Sequence, residues 1–184
     1  MRLWPAIVYT WGSTEAERAE PFPCDELLPE ASMVLFRAVD ADASADSVYR
    51  WLCQLRVAPY SYDRLDNFGR RSPQTLTPGL EQLEVGQRMV SIFRLGHFEP
   101  GRSITLLSHG PLFGGVAITY RVNEGSPGRS RLVAKLLVDP PRKPLWSLPM
   151  LLILPAGDLV MMRRQLLNIA ALAAAGQARA ASGG

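Results

Sequence analysis

The chain is poor in the side chains that bind metals or form cross-links: its 184 residues include two histidines and two cysteines. His97, His109, Cys24 and Cys53 show no zinc-type spacing, so neither a metal nor a cofactor is expected. Cys53 falls in an apolar helical pattern and reads as a small buried hydrophobe. The expected compartment is reducing and cytoplasmic. Charge of one sign is also scarce in any one place. The formal net charge is +3, and Arg70-Arg71, Arg129-Ser130-Arg131, Arg142-Lys143 and Arg163-Arg164 are the densest basic stretches. Nucleic-acid binders concentrate charge on one face, so nucleic acid is not an expected partner. Long uninterrupted apolar runs are missing. The most hydrophobic stretch, Leu145 to Met162, reaches spanning length only by including Pro149, Pro155, Gly157 and Asp158, which argues against stable membrane insertion. The apolar start, Met1 to Tyr9, is broken at Pro5 and has no small-residue cleavage site after it, so a signal peptide is not expected. No Gly-x-Ser-x-Gly elbow exists for serine catalysis. Gly110 to Gly115 is glycine-rich but sits between strand-like runs, whereas a phosphate cradle needs a helix after it.

What is present is a globular composition, 47% apolar and 20% charged, at a length that suits one domain. Residues 1–33 read as an irregular arm interrupted by Pro21, Pro23 and Pro29, packed on a domain over 34–176, with a flexible tail over 177–184. Val34 to Ala41 alternates as a strand. Ser44 reads as the N-cap of a helix whose stripe is Val48, Trp51, Leu52 and Leu55, stopped by Pro59. A short helix over Ser61 to Phe68 ends at Gly69. Four strand-like runs follow, Arg88–Phe98, Ser103–Ser108, Gly115–Asn123 and Arg131–Asp139. Their turn-rich links imply antiparallel hairpins. Val116, Ile118, Tyr120 and Val122 share a face, as do Leu132, Ala134, Leu136 and Val138, so the sheet should have one dry and one wet face. Asp158 to Gly176 reads as a last helix with Asp158 at its positive end and an apolar stripe through Leu159, Met162, Leu166 and Ile169.

Several segments carry a family likeness: Trp11-Gly12; Phe36-Arg37-Ala38-Val39; Val48 to Gln54; Tyr60-Ser61-Tyr62-Asp63; Leu65 to Gly69; Leu83 to Gly86; and Gly157 to Leu167. On these the chain resembles the START/birch-pollen-allergen superfamily, specifically the SRPBCC proteins of the polyketide cyclase/dehydrase and lipid transport type. The likeness runs from Trp11 to Leu172. Ala43-Ser44 and Tyr49-Arg50-Trp51-Leu52 depart from the usual Ala-Pro and Trp-Pro-Trp-Leu. The resemblance implies an α+β helix-grip fold, a curved antiparallel sheet wrapped around a long C-terminal helix with two short helices after the first strand. It also implies an internal hydrophobic cavity. Members bind lipids, sterols, polyketides or hormones, and a minority catalyse cyclisation or dehydration.

The expected partner is therefore a hydrophobic small molecule, lipid or polyketide-like, with a homodimer left open. The residues expected to meet it are Arg37, Tyr60, Tyr62, Phe93, Ile118, Tyr120, Leu136, Leu159, Met162 and Leu166. Tyr62, Asp63 and His97 are the weak candidates for acid and base catalysis, the alternative function. Each has a bland reading beside it. Tyr62 and Asp63 can simply anchor the second helix, Asp63 can pair with Arg37, and His97 can sit on a strand rim rather than act as a base near neutral pH. Methionines of the last helix serve either as core or as an adaptable ligand face. Leu145 to Leu154 reads as a lid over the entrance or as a partner surface.

Overall fold

A five-stranded antiparallel sheet sets the architecture. Its strands are β1 (Met33–Ala41), β2 (Arg94–Glu99), β3 (Ser103–Gly110), β4 (Gly114–Glu124) and β5 (Ser130–Asp139), in the spatial order β1-β5-β4-β3-β2. The computed structural model describes residues 4–182 except 68, 91, 111–113 and 141–143, with the backbone alone at 65 and 144–151. Register aligns one inner row across all five strands: Leu35, Leu136, Ile118, Leu106 and Leu95. This row faces the long helix α6 (Pro144–Ser182). Met162, Leu166, Ile169, Ala170 and Ala173 of α6 join that core. A fully buried Leu or Ile of this kind stabilises by roughly 1.5–3 kcal/mol. The result is the helix-grip α+β fold.

Two helices follow β1. The first, α4 (Ala45–Cys53), starts at Ser44, whose hydroxyl accepts from the Ser47 amide. It buries Val48, Trp51 and Leu52, then passes into a 3₁₀ turn over Gln54–Arg56. The second, α5 (Asp63–Asp66), is a single turn. Tyr60, between them, has φ +55°, an uncommon left-handed conformation for a tyrosine. α6 holds this connection in place. Its Gln165 and Asn168 amides donate to the Pro59 and Tyr60 carbonyls at 2.6 and 2.9 Å.

The outer face of the sheet is not wet. The lead-in arm forms three short helices, α1 (Ala6–Thr10), α2 (Glu15–Ala19) and α3 (Pro23–Leu27). Prolines do not prevent this. Pro23 occupies the first turn of α3, where a missing N–H costs nothing, and Thr14 with Glu17 forms a capping box on α2. Phe22, Cys24 and Leu28 pack with Phe36, Ala38, Ala117, Val133 and Leu137 into a second, smaller core. Three ion pairs tie the arm to the strands: Glu17–Arg131, Glu20–Arg121 and Asp25–Lys135. Gly12, at φ +74°, lies so close to β1 that a Cβ there would overlap the Ala38 carbonyl oxygen.

α6 also departs from expectation, starting 14 residues before Asp158 and running through Ser182. Pro149 and Pro155 lie within it, each removing one backbone donor without ending the helix. The segment expected as a lid is its first part; the side chains of 145–151 lie outside the described residues. Among the described residues no helix is long and apolar enough to cross a membrane, and no His, Cys, Asp and Glu group could hold a metal ion.

Candidate functional site

Where α6 does not touch the sheet, a cavity of about 740 Å³ remains. Its walls are Leu106 of β3, Val116, Ile118 and Tyr120 of β4, Leu136 and Val138 of β5, and Leu154, Met161 and Met162 of α6, with Phe93 at the side. Ile92 and Ile153, 55% and 68% exposed, mark the mouth. A groove of about 700 Å³ runs past Arg56, Arg70 and Arg88, and a hollow of about 410 Å³ lies around Tyr60, Asp63 and Arg164. Neither is bounded by the sheet. Of these three hollows the sheet–helix gap has the most apolar walls, joined to a few polar groups, the usual makeup of a small-molecule site.

Those polar groups cluster at one end. The Tyr120 hydroxyl donates to Gln165 Oε1 at 2.7 Å and lies 3.5 Å from the Met162 sulfur. One Gln165 amide proton goes to the Pro59 carbonyl at 2.6 Å. The Ser61 hydroxyl donates to Asp66 Oδ2. Asp158 faces the cavity from α6 and lies 2.7 Å from the Arg37 guanidinium. Arg37 is fully buried behind it and donates to the Phe36 and Pro155 carbonyls. Arg37 Nη2 meets Asp158 Oδ2 in this ion pair, while Arg37 Nε gains no hydrogen bond.

Burial dominates the electrostatics here. It pushes the Asp158 carboxyl up to about 6, with Arg37 pulling the other way and losing. Burial likewise pushes the Tyr120 phenol far above its ordinary range, helped by the Asp158 charge and opposed by the Gln165 bond. Tyr120 therefore keeps its proton at any working pH, while Asp158 exchanges one near neutrality.

The structure brings together Phe93, Ile118, Tyr120, Leu136 and Met162 on the cavity wall. Arg37 lies one layer behind, through Asp158. Leu166 is fully buried core and Leu159 packs at its edge. Tyr60 packs edge-on against Trp51, ring centroids 5.7 Å apart. Burial pushes its phenol up to about 12, with the nearby Asp63 charge adding to the shift. Tyr62 is exposed beneath the Arg164 guanidinium. Asp63 accepts from the Ser72 amide and hydroxyl at 2.9 and 2.6 Å and does not pair with Arg37. His97 is not in the cavity. A register irregularity between Leu95 and His97 puts it opposite Thr105, in the outer row with Thr119, Lys135 and Phe36. Tyr62, Asp63 and His97 thus do not converge.

Sequence reasoning missed Asp158 and Gln165 as cavity residues. Asp158, Met161, Met162 and Gln165 follow the i, i+3, i+4, i+7 spacing of one helical face. That signal was legible, but placing the helix start at Asp158 turned a wall residue into a cap.

Fold and cavity together define a helix-grip protein with an apolar compartment between sheet and helix, open at Ile92 and Ile153. No family model and no curated protein matches the chain. Solved structures do match. The crystal structure of the di-domain ARO/CYC StfQ from the steffimycin biosynthetic pathway is 14% identical with a TM-score of 0.52, over 85% of this chain and 54% of that one. This chain therefore spans about half the length of StfQ. A solution structure from Thermobifida fusca is also 14% identical, with a TM-score of 0.50, over 74% of this chain and 90% of that one. At such identities the likeness is one of fold, and it is the fold that the sequence resemblance implies.

Proposed function

We propose that this protein binds a hydrophobic small molecule, lipid or polyketide-like, in the cavity between sheet and α6. One observation carries the reading: a space of about 740 Å³ walled by Leu106, Ile118, Leu136 and Met162 and closed at one end by Tyr120, Gln165 and Asp158. Leaving that much apolar wall unfilled forfeits packing contacts that a ligand would restore. Methionines at 161 and 162 suit an irregular ligand shape. Titration with Nile red, an uncharged probe, tests it. Saturable binding with blue-shifted emission, weakened when Ile118→Trp fills the space, is expected. Emission that does not saturate, or that ignores the filled cavity, would count against the reading.

A second reading is an acid–base reaction on the bound molecule, of the cyclase or dehydratase type. It is favoured by Asp158, a carboxyl near pH 6 facing an apolar space, which suits proton exchange with a substrate. The ARO/CYC designation of StfQ agrees with this reading. Turnover of an oligoketide that survives Asp158→Asn and Tyr120→Phe would remove it.

A further inference from the structure

At the polar end of the cavity most side-chain donors are already engaged within the protein. The Tyr120 proton goes to Gln165, one of the two Gln165 amide protons to Pro59 and the Ser61 hydroxyl proton to Asp66. Acceptors remain. Asp66 Oδ1 on α5 is buried without a hydrogen-bond partner, Asp158 Oδ2 on α6 is met by the Arg37 guanidinium at 2.7 Å, and both residues line the cavity. These carboxylates come from separate elements. Buried acceptors left unpaired are costly, so the groups that best fit beside them are hydrogen-bond donors.

Charge points the same way. Two carboxylates line the cavity, and among the described residues no Lys, Arg or His does. Arg37 is the cation that would draw an anion in, but it is fully buried, and Asp158 lies on the cavity side of it. An incoming carboxylate meets a carboxylate first, in surroundings that screen charge poorly.

We infer, resting on the binding reading above, that the cavity selects amphiphiles whose polar end donates hydrogen bonds, hydrophobic alcohols or phenols, and rejects carboxylates such as fatty acids. Asp158 and Asp66 are the residues that determine this specificity. The hydrocarbon lies along Ile118, Leu136 and Met162, and the polar end lies toward the Asp158 and Asp66 side.

Three ligands with one ring system test it: 1-pyrenemethanol, 1-pyrenemethylamine and 1-pyrenecarboxylate, titrated by fluorescence against the full chain at about pH 7.5. The alcohol and the amine should each bind about tenfold or more tighter than the carboxylate. The charged amine separates this preference from simple insolubility. Asp158→Asn removes one carboxylate and leaves the Arg37 charge uncompensated, so the ratio should fall to within about threefold or invert. Asp66→Asn should narrow it too, and provides the test should Asp158→Asn fail to fold. A wild-type protein that takes the carboxylate as tightly as the alcohol overturns the inference and leaves the binding reading standing. So does a ratio unchanged in the folded variants. Failure of all three ligands to bind overturns both.

Discussion

Arg37 on β1 and Asp158 on α6 meet 2.7 Å apart at the cavity wall and form a charged link between the first strand and the last helix. Each is a poor tenant of the interior alone. Together they fix how α6 is rotated over the sheet, which decides that Asp158, Met161, Met162 and Gln165 face the gap.

Breaking the pair should therefore cost more than replacing it. Arg37→Met, leaving Asp158 buried without its cation, is expected to lose about 3–5 kcal/mol in urea unfolding. The double variant Arg37→Met/Asp158→Leu should recover most of that loss, because apolar replacement of a whole buried pair is close to neutral. A double variant no more stable than the single one would show that the pair contributes more than compensation.

Stability should rise on mild acidification. Asp158 is pushed up to about 6 from 3.8, so the folded state holds its proton more tightly than the unfolded chain. The resulting penalty is absent below about pH 4, grows between about 4 and 6, and is complete above that, of order 3 kcal/mol. Arg37 and Tyr120, which face Asp158, keep their protons throughout this range. Glu17 acts in the opposite sense. Burial pushes it up, but Arg131 and the Thr14 amide outweigh that and hold it below its ordinary range, so its contribution fades as pH falls toward 4. Thermal melts should show the midpoint climbing from about pH 7.5 to 5 and dropping at lower pH. In Asp158→Asn the climb should vanish.

Core and wall positions on α6 should separate cleanly. Leu166 is fully buried, and Leu166→Ala is expected to cost about 2–5 kcal/mol. Met161 borders the cavity and is half-buried. Met161→Ala should cost under about 1 kcal/mol yet change Nile red affinity. Parallel urea titrations and probe titrations of the two variants check this.

The arm should be sensitive at its tightest approach. Gly12→Ala places a Cβ on the Ala38 carbonyl oxygen and demands positive φ of an alanine. A loss of about 1–3 kcal/mol is expected, seen as a lower denaturation midpoint and faster proteolysis within residues 1–33. Gly69→Ala, with open space around its Cβ, should lose less.

The strands and the inner face were legible because alternation survives wherever the pairing is regular. Ile118, Tyr120 and Leu136 are cavity residues for the reason the sequence suggests. His97 was misplaced because the register shifts between Leu95 and His97, and an irregularity of one residue reverses every side chain beyond it. Gly96 between them was the available clue. Both arm and helix were underestimated through proline. Pro23 starts α3 rather than preventing it, and Pro149 and Pro155 sit inside α6 rather than delimiting it. The apolar Phe22 and Leu28 mark the arm as packed on the domain, but without periodicity they do not say that it covers the outer face of the sheet. That face is buried only because a distant segment folds over it.

The pairing of β1 with β5 has a consequence for synthesis on the ribosome. The strand made first must wait for the one made last before its inner edge is satisfied, and α6 emerges only after that. At roughly 58 Å for its 39 residues, this helix arrives after all five strands, and until it docks the greasy hollow of the nascent sheet stands open. A chain arrested before Pro144 would present that hollow to chaperones and to other nascent chains. The compartment enclosed between sheet and helix in the finished protein is the surface most exposed to misassembly while it is being made.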